Sequence, residues 1–197
     1  MGERRAGLPA AERTTRSDAA TARLLALPEL AEVAGRTIAG YVAVKGEMDP
    51  ASALARVAAR GGRVALPRVC AESPRLRFHE VEAGAAPPPP AGPFGLCEPD
   101  AERPEVSIGQ LDVVIVPGLA FDARGGRLGF GGGYYDGALA IARGGGRPAL
   151  IGLAYDFQIV DDCPVGPGDL PVDLVVTEAR VVRRTPSPAI DARRGPA

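Results

Sequence analysis

The sequence has no tryptophan, a single lysine and a single histidine, and these scarcities exclude several kinds of site. A Walker A phosphate loop needs a lysine that is followed by serine or threonine. Lys45, the only lysine, is followed instead by Gly46 and Glu47, so the chain has no ordinary P-loop. His79 lies in the alternating segment RLRFHEV, which predicts a partly exposed strand position rather than a catalytic one.

Cysteine is also scarce, and Cys70, Cys97 and Cys163 are too far apart in the sequence to form a CxxC pair. Together with the single histidine, this spacing argues against a zinc site with nitrogen and sulfur ligands. We therefore expect reduced, buried thiols.

The chain also lacks an excess of either charge, since 23 basic residues face 24 acidic ones and the net charge is −1. A balanced chain offers no electrostatic attraction for nucleic acid or for a membrane surface. No apolar run reaches the ~18 to 20 residues of a membrane helix, and the first residues are charged, unlike a signal peptide. The sequence therefore predicts a cytoplasmic protein that binds neither nucleic acid nor membranes.

Segments with strand and helix patterns alternate along the chain, which predicts an α/β fold with a layered, mostly parallel central sheet flanked by helices. The 197 residues fit a single domain, which we assign to residues 1–180. Residues 83–93 form a proline-rich surface loop, because prolines fix the backbone and remove hydrogen-bond donors. Residues 181–197, rich in arginine and proline, are predicted to be a disordered tail.

What the sequence does contain is a glycine loop, RLGFGGGYYD at 127–136, shortly after the apolar strand LDVVIVPG. Ligands of open α/β sheets bind beyond the carboxyl ends of the strands, and glycines let backbone N–H groups approach phosphate. Arg127 would neutralise phosphate charge, and Asp136 beside a phosphate requires a counter-cation such as Mg²⁺. The GxGxxG pattern is not matched. Because the chain carries 26 glycines, a purely structural glycine loop remains an alternative.

The segment VPGLAFDARGGRLGFGGGYYD resembles the signature of the 5-formyltetrahydrofolate cyclo-ligase family, also called methenyltetrahydrofolate synthetases. Further segments resemble elements of that family in the same order, namely GYVAVKGEMDP, VALPRV, FGLCEP and GLAYDFQIVDDCPVGPGDLPVDLVVTE. The similarity extends from about residue 8 to residue 178.

The resemblance implies a monomeric enzyme that acts on 5-formyltetrahydrofolate, with or without a polyglutamate tail, using ATP and Mg²⁺. ATP phosphorylates the formyl oxygen, the neighbouring folate nitrogen attacks, and phosphate leaves. The products are 5,10-methenyltetrahydrofolate, ADP and phosphate. As in other phosphoryl transfers, the protein would mainly position groups and offset charge.

The resemblance also implies the roles of individual residues. Folate is expected at Val42, Glu47, Tyr134 and Tyr135, and Mg²⁺ at Asp136 and Asp169. ATP is expected along the glycine loop, at Arg127, Leu128, Gly129, Phe130, Gly131, Gly132, Gly133, Tyr134 and Tyr135. Three alternatives stay open: Glu47 as a solvated loop acid, Asp169 as a turn residue, and Tyr135 as plain helix–sheet packing.

Several positions depart from the family pattern. Phe130 and Gly132 stand where some members carry arginine or lysine, so this loop is less cationic. Family members open with a helix whose lysine, and an arginine four residues later, reach the ATP phosphates. GLPAAERTTRS resembles the segment after that helix, so we expect both cations to be missing, Met1 to be a late start, and Arg4 and Arg5 to be poor substitutes.

These departures keep two other functions open. A non-catalytic relative that binds nucleotide or folate is the main alternative, because the N-terminal cations are missing. A related α/β transferase acting on CoA or a sugar phosphate would share the fold, but it would not explain the YYD sequence of the loop.

Overall fold

The computed structural model describes residues 1–70, 76–82, 97–140, 148–166 and 168–185. Within these ranges the chain forms four α-helices: α1 (Gly2–Ala6), α2 (Ala10–Leu25), α3 (Ala51–Ala59) and α4 (Tyr134–Leu139). It also forms ten strands: β1 (Thr37–Ala39), β2 (Arg63–Val69), β3 (Leu76–Val81), β4 (Glu105–Val106), β5 (Val113–Val116), β6 (Ala120–Phe121), β7 (Arg127–Leu128), β8 (Ala149–Leu153), β9 (Leu174–Val176) and β10 (Val181–Arg183).

Eight strands form one sheet in the order β10-β9-β8-β5-β1-β2-β3-β4. The five central strands from β9 to β2 run parallel, whereas β10, β3 and β4 pair antiparallel at the two edges. All four residues of Val113–Val116 are buried, as expected for a parallel strand covered on both faces. Two apolar clusters, one on each face, form the core. The predicted layered α/β fold with a mostly parallel centre is confirmed.

Helix α3 begins directly after Pro50. Asp49 and Pro50 precede α3, and the Asp49 carboxylate accepts a hydrogen bond from the Ala51 N–H at 2.9 Å. Leu54 and Val57 face the sheet and join the core cluster that α2 also covers. The loop 40–50 is thereby held between β1 and α3, at the carboxyl edge of the parallel strands.

The predicted disordered tail requires a correction at its start. Val181–Arg183 form β10, which pairs with β9, and Arg183 donates to Glu29 at 2.8 Å. The Thr177 hydroxyl makes the turn that permits this pairing, since it accepts the Ala179 and Arg180 N–H groups. The ordered chain therefore runs beyond residue 180. Residues 186–197 and the proline-rich loop 83–93 lie outside the described residues.

Two smaller expectations also change. His79 is buried rather than partly exposed, because β4 covers that edge of β3, and its Nδ1 lies 2.9 Å from the Arg103 carbonyl oxygen. All three cysteines are free, but only Cys163 is buried. Across the ranges given above, no helix combines the length and apolar character needed to span a bilayer.

Candidate functional site

A short hairpin, β6 and β7, sets the direction of the glycine loop. The Asp122 carboxylate closes its turn by accepting the N–H groups of Arg124 at 2.8 Å and Gly126 at 2.9 Å. It also accepts the N–H group of the distant Cys163 at 2.8 Å. Burial alone would raise the pKa of Asp122, but these hydrogen bonds lower it overall. An ionised Asp122 therefore fixes the strand from which Arg127 projects.

Arg127 and Asp136 form an ion pair where the loop enters α4. Arg127 Nη2 lies 2.8 Å from Asp136 Oδ2, and the two side chains are 8% and 19% exposed. The guanidinium also lies 5.5 Å from the centre of the Tyr135 ring. Asp136 Oδ1 accepts the Leu170 N–H at 3.0 Å. The ion pair thus connects the glycine loop to the segment that carries Asp169.

Asp169 belongs to the same region of the molecule. Its Oδ2 accepts the Gly166 N–H at 2.6 Å, which is the turn contact that one alternative predicted. It also lines an open depression together with Arg127 and Leu170. The structure therefore brings Arg127, Asp136 and Asp169 together at one edge of the sheet.

The donor chemistry of this region fits Mg²⁺. In nucleotide-dependent enzymes Mg²⁺ is held by one or two carboxylates together with substrate phosphate oxygens and waters. Asp136 and Asp169 provide two carboxylates, although the described residues contain no group of three or more His, Cys, Asp or Glu side chains that would hold a metal by themselves. A bound phosphate would have to complete such a site.

Glu47 is buried, with 7% of its surface exposed, so the solvated-acid alternative is excluded. Its Oε2 accepts the Val44 N–H at 3.0 Å. Burial raises the pKa of Glu47, opposed by that hydrogen bond and by the charges of Arg5 and Lys45. A buried carboxylate whose pKa is raised by desolvation is typical of a ligand-binding or catalytic group.

Tyr135 lies next to Arg127 in the first turn of α4. Burial raises the pKa of its hydroxyl, the charge of Glu47 raises it further, and Arg127 lowers it. Tyr135 is therefore within electrostatic reach of both charged groups. Its ring also packs against the apolar cluster that includes Leu139, so the packing alternative holds as well.

The remaining predicted residues surround these groups. Val42 is half-buried, and the Tyr134 ring packs on Gly132, where a Cβ atom would lie 2.5 Å from it. Gly131, Gly132 and Gly133 are exposed, as are Leu128 and Phe130, whereas Gly129 is half-buried. The loop backbone is therefore largely open to a ligand.

Arg5 is the residue whose importance sequence analysis missed. Only 2% of its surface is exposed. Its Nε donates to the Lys45 carbonyl at 3.2 Å, its Nη1 donates to the Gly118 carbonyl at 3.3 Å, and Nη1 lies 3.9 Å from Glu47 Oε1. Arg5 therefore places a buried cation beside Glu47, a position that the sequence analysis did not assign to it.

Gly46 permits α1 to reach this position. Its φ is +72°, and a Cβ atom there would lie 2.8 Å from the Arg5 carbonyl oxygen. Lys45 is also left-handed, with φ 51°, which is uncommon outside glycine and is concentrated at functional sites. The signal available in the sequence was Lys45, the only lysine, which stands next to Gly46 and two residues before Glu47.

Comparisons with known proteins identify relatives of this chain. The model of the 5-formyltetrahydrofolate cyclo-ligase family matches residues 1–178. A curated 5-formyltetrahydrofolate cyclo-ligase of Mycolicibacterium smegmatis is 32% identical, covering 76% of this chain and 77% of its own length. That of Escherichia coli is 31% identical, covering 90% and 96%. The solved structure of Aquifex aeolicus 5,10-methenyltetrahydrofolate synthetase has a TM-score of 0.76 at 33% identity, covering 94% of this chain and 90% of the other.

Proposed function

Because the chain belongs to the 5-formyltetrahydrofolate cyclo-ligase family, we propose that it cyclises 5-formyltetrahydrofolate to 5,10-methenyltetrahydrofolate with ATP and Mg²⁺. The observation that best supports this proposal is that the buried carboxylate of Glu47 lies 3.9 Å from Arg5, whose guanidinium carbon lies 5.5 Å from the centre of the Phe130 ring in the glycine loop. One substrate needs a polar anchor for its pterin ring, and the other needs backbone N–H groups and cations for its phosphates.

The reaction divides into two steps. The formyl oxygen attacks the γ-phosphorus, and the bond from that phosphorus to the leaving oxygen of ADP breaks. The neighbouring folate nitrogen then attacks the activated formyl carbon and releases its proton to solvent, and inorganic phosphate leaves with the former formyl oxygen. Each step needs alignment and charge neutralisation more than covalent help from the protein.

The residues of the chain divide between the two substrates. Glu47 accepts hydrogen bonds from the pterin, while Val42, Tyr134 and Tyr135 provide the walls of that pocket. Arg127 and the loop backbone at 129–133 bind the ATP phosphates. We propose that the enzyme is a monomer, since the site as proposed needs residues of one chain only.

Mg²⁺ would be held by Asp136 and Asp169 together with phosphate oxygens. The ion supplies positive charge that neutralises the triphosphate during transfer. Asp136 is paired with Arg127 at 2.8 Å. In the complex, Asp136 would contact Mg²⁺ and Arg127 would contact a phosphate oxygen.

The experiment that tests the proposal is a direct assay of methenyl product with purified, folded protein. Product is expected only when ATP, a divalent cation and the 5-formyl isomer are all present, and it should be absent with EDTA or with the 10-formyl isomer. A folded preparation that binds ATP and 5-formyltetrahydrofolate yet makes no product would refute the proposal in favour of a non-catalytic relative.

A further inference from the structure

Two cations converge on one exposed aromatic ring of the glycine loop. Phe130 is 59% exposed. Lys45 Nζ lies 5.4 Å from the centre of its ring, and the guanidinium carbon of Arg5 lies 5.5 Å from it. Both distances are within the ~6 Å over which a cation is attracted to an aromatic face. An exposed phenyl ring thus occupies the space in front of two positive charges.

Neither cation is neutralised by a carboxylate in hydrogen-bond contact. The 3.9 Å from Arg5 Nη1 to Glu47 Oε1 exceeds the range of a hydrogen bond. In the part of the chain that the structure describes, Lys45 forms no salt bridge, and its ammonium stands on a left-handed residue beside Gly46. The exposed ammonium of Lys45 is therefore available to an anion, and the buried guanidinium of Arg5 adds positive charge next to the same ring.

The glycine loop itself has little positive charge for a polyphosphate. Arg127 is the only cationic side chain between residues 127 and 136, and Asp136 already pairs with it. A triphosphate carries several negative charges, and charge-assisted contacts are the stronger hydrogen bonds available to it. Mg²⁺ and cationic side chains from outside the loop must together supply the difference.

We propose that Lys45 and Arg5 bind the polyphosphate of the nucleotide, and that Phe130 occupies their position until it arrives. This inference rests on the proposed function and names further binding residues for the same site. Lys45 is exposed and contacts the outer phosphates, where its contribution is to affinity. Arg5 is buried between Glu47 and Phe130, so it contacts the phosphoryl group where that group passes from nucleotide to folate.

The absence of tryptophan permits a direct test with the otherwise unaltered chain. Phe130→Trp introduces the only tryptophan, and indole attracts cations at least as well as phenyl. Titration with inorganic tripolyphosphate and Mg²⁺, neither of which absorbs near tryptophan, should change its emission as the cations leave the ring. Lys45→Gln in this background should weaken tripolyphosphate binding ~10-fold, and Lys45→Arg should restore most of it.

Calorimetry on the chain with Phe130 retained gives the second arm. Lys45→Gln should weaken ATP binding ~10-fold and leave 5-formyltetrahydrofolate binding within ~2-fold. Arg60→Gln is the matched control, because it also removes one exposed positive charge but lies before β2, at the opposite edge of the sheet. Arg5→Lys keeps the charge but replaces the three donor nitrogens of the guanidinium by one, so turnover should fall more than ATP affinity. The melting temperature is measured alongside.

The outcomes separate this inference from the proposed function. If Lys45→Gln binds tripolyphosphate and ATP as tightly as Arg60→Gln, or weakens folate binding instead, the inference is overturned even if the enzyme is active. If the wild-type chain binds tripolyphosphate through Lys45 but makes no methenyl product, the inference stands and the proposed function fails.

Discussion

Replacement of Glu47 by glutamine is the most informative perturbation of the proposed folate-binding part of the site. The carboxylate has one oxygen committed to the Val44 N–H at 3.0 Å, while the other faces Arg5. A glutamine whose carbonyl keeps the Val44 contact must turn its NH₂ group towards Arg5 and towards the pterin donors. The substitution preserves volume and places donor against donor.

The expected magnitude follows from the unpaired donors. A buried donor left without its acceptor costs about 1–3 kcal/mol, which corresponds to a factor of about 5 to 150 in affinity. We expect the KM for 5-formyltetrahydrofolate to rise within this range at saturating Mg-ATP, while the KM for ATP changes less than ~2-fold. An isothermal titration with each ligand separately provides the same comparison without turnover.

Glu47→Gln should also change how the free energy of unfolding depends on pH. Because burial raises the pKa of Glu47, the folded state holds more protons than the unfolded chain between the ordinary pKa and the raised one. Stability therefore declines as pH rises through that interval, and the cost of an ionised Glu47 persists at neutral pH. Glu47→Gln removes this titration, so its unfolding free energy should depend less on pH across the interval.

Glu98→Gln is a closely matched control. Glu98 is also 7% exposed, accepts a backbone N–H from Val69 at 3.0 Å, and lies 3.7 Å from an arginine nitrogen, that of Arg68. It should share the local structural effects without the selective loss of folate. A Glu47→Gln enzyme with raised KM for ATP and normal folate kinetics would refute the assignment of Glu47 to the pterin.

Three further substitutions test other parts of the structure. Asp136→Asn keeps an acceptor for the Leu170 N–H but loses the Arg127 pair, so turnover at saturating Mg-ATP should fall ~10²–10³-fold. Asp162→Asn, at an exposed position, is its control, and unchanged turnover of Asp136→Asn would remove Asp136 from the site. Gly46→Ala should displace Arg5 and lower turnover more than Gly35→Ala does, because Gly35 has a similar φ of +74° but open space around it. Equal losses of turnover would mean that backbone strain alone is responsible. Asp122→Asn should lower the unfolding free energy by about 1–3 kcal/mol at pH 7, measured in urea. Because the folded-state pKa of Asp122 is lowered, this difference should shrink as pH falls below 3.8 through the folded-state value, and a constant difference would contradict the hydrogen-bond account.

The sequence by itself determined the fold class and the family. The apolar run at 113–116 needs burial on both faces, and strands alternating with helices favour parallel connections, so local pattern was sufficient for the layered sheet. The order of motifs around RLGFGGGYYD was sufficient for the family that the comparisons confirm. The individual ligand roles of Glu47, Asp136 and Asp169 remain predictions.

Only the tertiary structure decided which charges meet. Arg5 donates to Gly118, 113 positions away, and lies beside Glu47 because Gly46 leaves room for α1; no local pattern encodes such a contact. Strand β10 likewise depends on an available edge of β9, which sequence composition near residue 181 does not reveal. Helix and strand periodicity reports burial of a segment against its neighbours, whereas a buried ionic site depends on the packing of segments that are distant in the chain.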